Sequence, residues 1–483
     1  MTGPSPRAAL SPQQTVERAL QAARCDDCIV IADEASAANL RWAGNTLTTN
    51  GVARSRQLTV IAISRGPRGT SAGVVTAAGV RDEQIEDVVA EAAAAAAAGP
   101  PDRDARPLVT PAQLGDLTPA AGAGWDGPPQ VTDASIFGRF AAELGDAFAV
   151  AAAAGQKLYG FAEHTVTTTY LGTSAGLRLR HDQPAGRLEL NAKSGDLARS
   201  AWAGASSRDF TDVDVTGMTA GLAQRIGWAQ RRIELPAGRY ETLLEPGAVA
   251  DLMISLYWSA GGRDAADGRT VFSKAGGGSR VGERLAQLPL TLRSDPAQSG
   301  LECAPFVIAR AASRESSVFD NGLPLRGTDW ISAGKLAALT QTRYSAQESG
   351  SAVTPQIDNL VFTAGTGAGG TGTGGGTLDD MIAATGSGLL VTCLWYIREV
   401  DPQTLLLTGL TRDGVYLVRD GEIAGAVNNF RFNESPVALL SRISGAGAPA
   451  ATLPREYSDY FSRAIMPPVR VDGFNMSAVS QAL

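Results

Sequence analysis

What most constrains this chain is a change of hydrophobic period that repeats along its first half: a helical stripe, a set of extended runs, then a helical stripe again. In residues 11–24, SPQQTVERALQAAR, Ser11 stands as an N-cap, Pro12 takes the first helical position and Gln14 follows at the capping-box spacing. Val16, Ala19, Leu20 and Ala23 share one face, which predicts an amphipathic helix. The runs CIVIA, LRWAGNTLTTNG, RQLTVIAIS and TSAGVVTA then read as four short strands of a meander. A second helix is expected from about Asp82, carrying Ile85, Val88, Val89 and Ala92 on one stripe and stopping at Gly99-Pro100. Helices beside sequence-adjacent strands point to an α+β fold.

The Pro- and Gly-rich residues 99–130 are expected to form a surface excursion, followed by a helix with Ile136, Phe140, Leu144 and Phe148 at spacing four. HTVTTTYLG and LRLRHD read as a hairpin turning through Gly172 to Gly176. At 483 residues the chain exceeds what one core usually organises. A boundary near residue 235 divides it into an N-terminal domain, 1–235, with antiparallel strands, and a C-terminal domain, 236–483, that is mainly β. The second begins with a strand, a Pro-Gly turn and a helix bearing Val249, Leu252, Met253 and Leu256. Between residues 365 and 376 eight of twelve residues are glycine, the composition of a mobile loop.

Forty-two basic residues against 49 acidic ones give a net charge of −7, so no overall field attracts a phosphate backbone, and nucleic acid is not an expected partner. The opening MTGPSPRAALSPQQ lacks the basic-then-apolar order of a secretory leader, and the Ala92–Ala98 run is too short to span a bilayer. Four cysteines in a chain this long do not form a disulfide framework. A cytoplasmic protein without membrane partners is the expectation.

Four patterns invite a chemical reading. Gly172–Gly176, GTSAG, matches the elbow that exposes a nucleophilic serine, Ser174. A strand follows it where a helix is needed, however, and no histidine lies beyond His181, so a hairpin turn is the preferred reading. His164 and His181 are the two histidines, and neither has the i, i+4 companion that places two imidazoles on one metal. His164, beside Glu163, reads as a strand-edge residue with a local hydrogen bond; His181, between Arg180 and Asp182, reads as solvated. Cys25 and Cys28 form CDDC, which resembles a redox dithiol or half a zinc knuckle; the two aspartates are expected to raise the thiol pKa, and Cys303 and Cys393 are single residues far away. Two buried or half-buried thiols at a helix-to-strand junction are therefore expected. Gly367, Gly369 and Gly372 satisfy G-x-G-x-x-G after the strand NLVFTA, but lack the lysine and hydroxyl of a phosphate loop. The alternative is a loop that faces a partner or a peptide.

Longer phrases add a resemblance. NTLTTNGVARSRQLTVIAI, DEQIEDVVAEA and TTTYLGTSAGLRLR, followed in order by SSVFDNGLPLRGTDWISAGKLAALTQTRYSA, QIDNLVFTAG, LDDMIAATGSGLLVTCLW and GVYLVRDGEIAGAVNNFRF, resemble the TldD/PmbA family from about residue 30 to residue 475. The resemblance implies the two-domain fold of that family. Its TldD-type members carry an H-E-x-x-x-H helix whose histidines bind zinc and whose glutamate is the base. In the corresponding place, after Glu245-Pro246-Gly247, this chain reads AVADLMISLYWSAGG, with Ile254, Leu256 and Tyr257 where imidazole and carboxylate would be needed. By resemblance the chain is a PmbA/TldE-type member with no catalytic or metal-binding residue and no cofactor of its own. Such a member pairs with a zinc-bearing TldD-type subunit around unfolded peptide; that Gly367, Gly369 and Gly372 lie near the entrance or junction is a further expectation, not part of the resemblance. Two other readings stay open: a hydrolase using Ser174, and a homodimeric binding protein without a peptidase partner.

Overall fold

The structure is a computed structural model that describes residues 10–115, 124–365 and 376–480. The glycine motif Gly367, Gly369 and Gly372 lies outside the described residues. The first half is built on one antiparallel six-stranded sheet. Its strands are β1 (Asp27–Trp42), β2 (Leu47–Gly66), β3 (Gly69–Ala78), β4 (Gln156–Thr173), β5 (Arg178–Ser194) and β6 (Ser200–Ser207), in the order β3-β2-β1-β4-β5-β6. Where the sequence suggests four short runs before residue 80, there are three strands, of 16, 20 and 10 residues. The stretch DEASAAN continues β1 because its small residues fit between neighbours: Ser36 and Ala38 are buried on one face.

The side-chain alternation gives this sheet two different faces. Even-numbered residues of β1, from Cys28 and Val30 to Leu40 and Trp42, lie under α1 (Pro12–Ala22), α2 (Ile85–Ala98), α3 (Gly138–Ala153) and α4 (Val215–Trp228). α1 and α2 cover one end of the strands, and α3 and α4 cover the other. The α1 capping box is formed, with Ser11 accepting from the Gln14 N–H and Gln14 accepting from the Ser11 N–H. α2 approaches β3 so closely that a Cβ on Gly73 would lie 2.2 Å from Ala96 N and 2.3 Å from Ala92 O. Odd-numbered Ile29 and Ile31 face the second half, packing with Ile61, Leu171, Phe306, Val318 and Phe319. Leu108 and Val109 are buried in the same cluster, so the segment after α2 is not wholly the surface excursion its Pro and Gly content suggests.

The second half contains a six-stranded and a ten-stranded sheet. β7 (Arg232–Ile233) pairs with Glu422–Val427 in the larger one, and β8 (Gly238–Leu244) lies between Val469–Val479 and Ser387–Val391. α5 (Pro246–Trp258) follows β8 directly; Pro246 and Gly247 are its first residues and not a turn, since a proline at the first helical position loses no hydrogen bond. From Gly247 to Tyr257 every residue of α5 is buried in the main core. The fold is α+β, with an antiparallel N-terminal sheet and a sheet-rich C-terminal half. Among the described residues no helix is long and apolar enough to cross a membrane.

Candidate functional site: a filled core around helix α5 and a cleft between the halves

α5 is mainly apolar and carries one acid, Asp251, which is fully buried. Its Oδ2 accepts the Arg455 N–H at 3.2 Å and its Oδ1 accepts the Glu456 N–H at 3.1 Å. Burial holds this carboxyl well above the usual carboxylate range, against the pull of those N–H groups. At the N-terminus of α5, Glu245 pairs with Arg225 at 2.6 Å, and burial again raises its pKa despite the guanidinium. Beside them Arg455 donates to Cys393 Sγ at 2.8 Å and pairs with Asp413 at 2.5 Å, while its guanidinium lies between the rings of Trp202, at 5.2 Å, and Trp395, at 5.1 Å. Asp413 also accepts from Ser200 of β6. Burial pushes the Cys393 thiol up, outweighing Arg455. Further along α5, Tyr257 donates to Ile357 O at 3.0 Å and accepts from Ile357 N–H at 2.8 Å. Asp251, Glu245, Cys393 and Asp413 are thus each committed to a guanidinium or a backbone N–H.

A cavity of about 440 Å³ lies between the halves. The odd face of the N-terminal sheet supplies Thr167, Thr169, His181 and Gln183, and the facing wall includes Phe306 and Ile308. Arg310 closes one end with a two-pronged pair to Asp33, at 2.7 and 2.6 Å, and Thr169 donates to the same carboxylate at 2.6 Å. His181 is half-buried and not freely solvated as its charged neighbours suggest. It sits in this cleft with Nε2 3.1 Å from Gln183 Oε1, and burial lowers its pKa.

The other sequence candidates are scattered. His164 is not at a strand edge, since β4 is central; its Nδ1 lies 2.7 Å from Thr132 Oγ1 and its Nε2 2.8 Å from Arg208 O, and burial lowers its pKa. Ser174 lies in the β4–β5 turn, where its hydroxyl donates to Asp27 Oδ1 at 3.1 Å and accepts the Cys28 N–H at 3.0 Å. No imidazole is among its hydrogen-bond partners, and the carboxylate it meets, Asp27, is itself paired with Arg65. Cys25 is half-buried and Cys28 buried at the junction of α1 and β1. The Cys25 pKa is lowered, with the Cys28 thiol as the main cause and the charge of Asp26 opposing it, whereas the Cys28 thiol is raised by Cys25, by burial and by the charge of Asp27. Sequence reasoning singled out neither Asp251 nor the Arg455 network. A lone acid in AVADLMISLYW is the one signal that marked the first.

The residues from β8 onward decide what this architecture is. Residues 237–478, 242 of the chain's 483, match the family model described as the PmbA/TldA metallopeptidase C-terminal domain. The chain belongs to the TldD/PmbA family. No curated protein sequence matches it. Among solved structures it is similar to TldE from Thermococcus kodakarensis, at 16% identity and TM-score 0.73, over 95% of this chain and 98% of that one. It is also similar to a protein described as a modulator of a DNA gyrase from Thermotoga maritima, at 14% identity and TM-score 0.73, over 96% and 99% of the two chains. A third, described as a modulator of DNA gyrase from Bacteroides thetaiotaomicron, is 15% identical with TM-score 0.72, over 97% and 98%.

Zinc is the group that membership in the TldD/PmbA family raises, and the residues around α5 do not fit it. A hydrolytic zinc site needs about three nitrogen, sulfur or oxygen donors converging on one point, plus an open position. Asp251, Glu245, Cys393 and Asp413 each face a cation or a backbone donor instead. Among the described residues no group of three or more His, Cys, Asp or Glu side chains is placed to hold a metal ion.

Proposed function

We propose that this chain is a PmbA/TldE-type subunit that has no zinc site of its own and works in proteolysis by pairing with a TldD-type zinc-bearing chain. The observation that carries this reading is the state of α5: residues 247–257 of the helix are buried, and its one acid is capped by two backbone N–H groups of residues 455 and 456. The likeness to Thermococcus kodakarensis TldE over 95% of the chain supports the same reading. A subunit without metal contributes by enclosure: walls around a reaction site admit extended peptide and exclude folded protein. In this proposal the substrates are unfolded proteins and peptide precursors. The four free thiols support a reducing, cytoplasmic setting.

The test mixes the purified chain with a TldD-type protein bearing H-E-x-x-x-H and follows complex formation by light scattering and cleavage of an unfolded peptide. A stoichiometric complex whose cleavage exceeds that of the TldD-type chain alone, and which a chelator stops, is the expected result. Absence of a complex, or unchanged cleavage within one, refutes the proposal.

A further inference from the structure

The segment after α2 carries two arginines, Arg103 and Arg106, and meets the second half of the chain at one aromatic ring. α6 (Gly262–Ala266) brings Arg263 to this seam, and α7 (Arg343–Ser349) brings Tyr344. The guanidiniums of Arg103, Arg106 and Arg263 lie 5.2, 5.2 and 4.9 Å from the centre of the half-buried Tyr344 ring. Three like charges around one ring repel unless acids or anions answer them. Of the three, Arg263 alone pairs with a carboxylate among the described residues, that of buried Asp104. Arg103 gives its Nε and Nη2 to the Tyr344 hydroxyl at 3.1 and 2.9 Å. Arg106 gives Nη1 to Ala105 O and Nη2 to Gln347 Oε1, both at 2.8 Å. The other acids of the seam are engaged elsewhere: Asp102 Oδ1 accepts the Asp104 N–H at 2.8 Å, Asp264 and Asp267 pair with Arg314, and Asp320 pairs with Arg343 at 2.7 Å. What is left over is donors. The Tyr344 oxygen accepts two bonds from Arg103, so its own O–H has no acceptor among the described residues. The same holds for Arg103 Nη1, Arg106 Nε and the buried Nε of Arg263. Unanswered donors on four residues around one ring suit an oxyanion and repel a cation.

We propose that Arg103, Arg106 and Tyr344 form a binding site for a small oxyanion, phosphate or carboxylate, on the seam between the halves. The oxygens of the anion accept from the two guanidiniums and from the Tyr344 hydroxyl. A guanidinium offers its N–H groups as a planar fork whose spacing matches the paired oxygens of phosphate and carboxylate, which a monatomic ion such as chloride lacks. Arg263 adds positive charge behind the ring while Asp104 holds it in place. Because Arg103 and Arg106 belong to the first half and Tyr344 to the second, an occupied site ties the two halves together through the ligand.

The full-length chain is titrated calorimetrically with inorganic phosphate and, in a separate arm, with acetate, at an ionic strength held constant with chloride. One saturable site per chain is expected in at least one arm: phosphate alone identifies a phosphate site, acetate alone a carboxylate site, and both a general oxyanion site. Tyr344→Phe keeps the ring but removes a charge-assisted hydrogen bond, and is expected to weaken binding about tenfold. Arg103→Gln combined with Arg106→Gln is expected to weaken it by on the order of 100-fold. Arg68→Gln, in the exposed turn between β2 and β3, removes a positive charge elsewhere and is expected to bind like the parent. In the unsubstituted chain, saturating anion is expected to slow amide hydrogen exchange in residues 101–107, a readout that no misfolded variant can affect. Absence of saturable binding in both arms, unchanged affinity in either variant of the site, equal weakening in Arg68→Gln, or unchanged exchange in residues 101–107 each overturns the proposal.

Discussion

Replacing Arg455 by alanine tests whether the core beside α5 is held by paired charge or simply by packing. The substitution removes the 2.5 Å pair with Asp413, the donor to Cys393 at 2.8 Å and the guanidinium between Trp202 and Trp395. Breaking a buried ion pair from one side costs about 3–5 kcal/mol, because the remaining charge stays buried without its partner. Loss of the two ring contacts adds about 1–2 kcal/mol. Asp413 keeps Ser200 and the more distant Arg412, at 3.7 Å, which places the expected total near the low end, about 4 kcal/mol. With a urea dependence of about 2–3 kcal/mol/M, the unfolding midpoint followed by circular dichroism should fall by about 1.3–2 M. Asp413→Ala in the Arg455→Ala background should cost about 2–3 kcal/mol less than the two single changes added together, since no unpaired charge is left. A midpoint within about 1 kcal/mol of the parent, or strict additivity of the two changes, would refute the reasoning.

His164 and His181 both have lowered pKa values because of burial, so the unfolded chain takes up protons that the folded chain refuses. Stability from these groups is complete above the unfolded value of about 6.5 and is lost as pH falls below it, by at most about 1.4 kcal/mol per histidine per pH unit. His164→Gln should remove up to one proton from that slope in urea titrations between pH 7.5 and 5; an unchanged slope would contradict the assignment. Gly73→Ala should destabilise by about 3 kcal/mol, because the new Cβ meets backbone atoms of α2, whereas Gly145→Ala in α3, with open space around it, should be neutral or stabilising by up to about 1 kcal/mol. Equal thermal shifts for the two variants would discount that contact. Arg310→Ala leaves Asp33 with Thr169 alone, and limited proteolysis should then cut residues 302–326 faster than in the parent; identical digestion kinetics would show that the pair does not join the halves.

Local rules were enough wherever partners are close in sequence. The Ser11–Gln14 box, the Ile85 to Ala92 stripe and the Gly172–Gly176 turn are readable because each is a one-element pattern. α4 escapes the same reading: VTGMTAGLAQRIGW carries three glycines and a weak stripe, and what fixes it is burial of Val215, Leu222 and Ile226 on the sheet. The continuity of β1 was hidden because Ala and Ser look like a break until strands on both sides supply their contacts. Of the candidate site, the lack of paired histidines was visible in the sequence. Asp251 was not interpretable there, since the N–H groups that hold it come from residues 455 and 456, about two hundred positions away. His181 was misread for the same reason: its burial depends on a wall of the cleft contributed by the other half.

The long strands of the N-terminal sheet carry two separate helix pairs on one face, α1 with α2 at one end and α3 with α4 at the other. Sliding a strand by a single residue would turn both greasy patches outward together, so alignment is guarded twice and either guard can weaken while the other holds. Such redundancy lets each end drift in composition independently. It offers a physical reason why chains sharing only 14–16% of their residues can keep the same outline over nearly their full length.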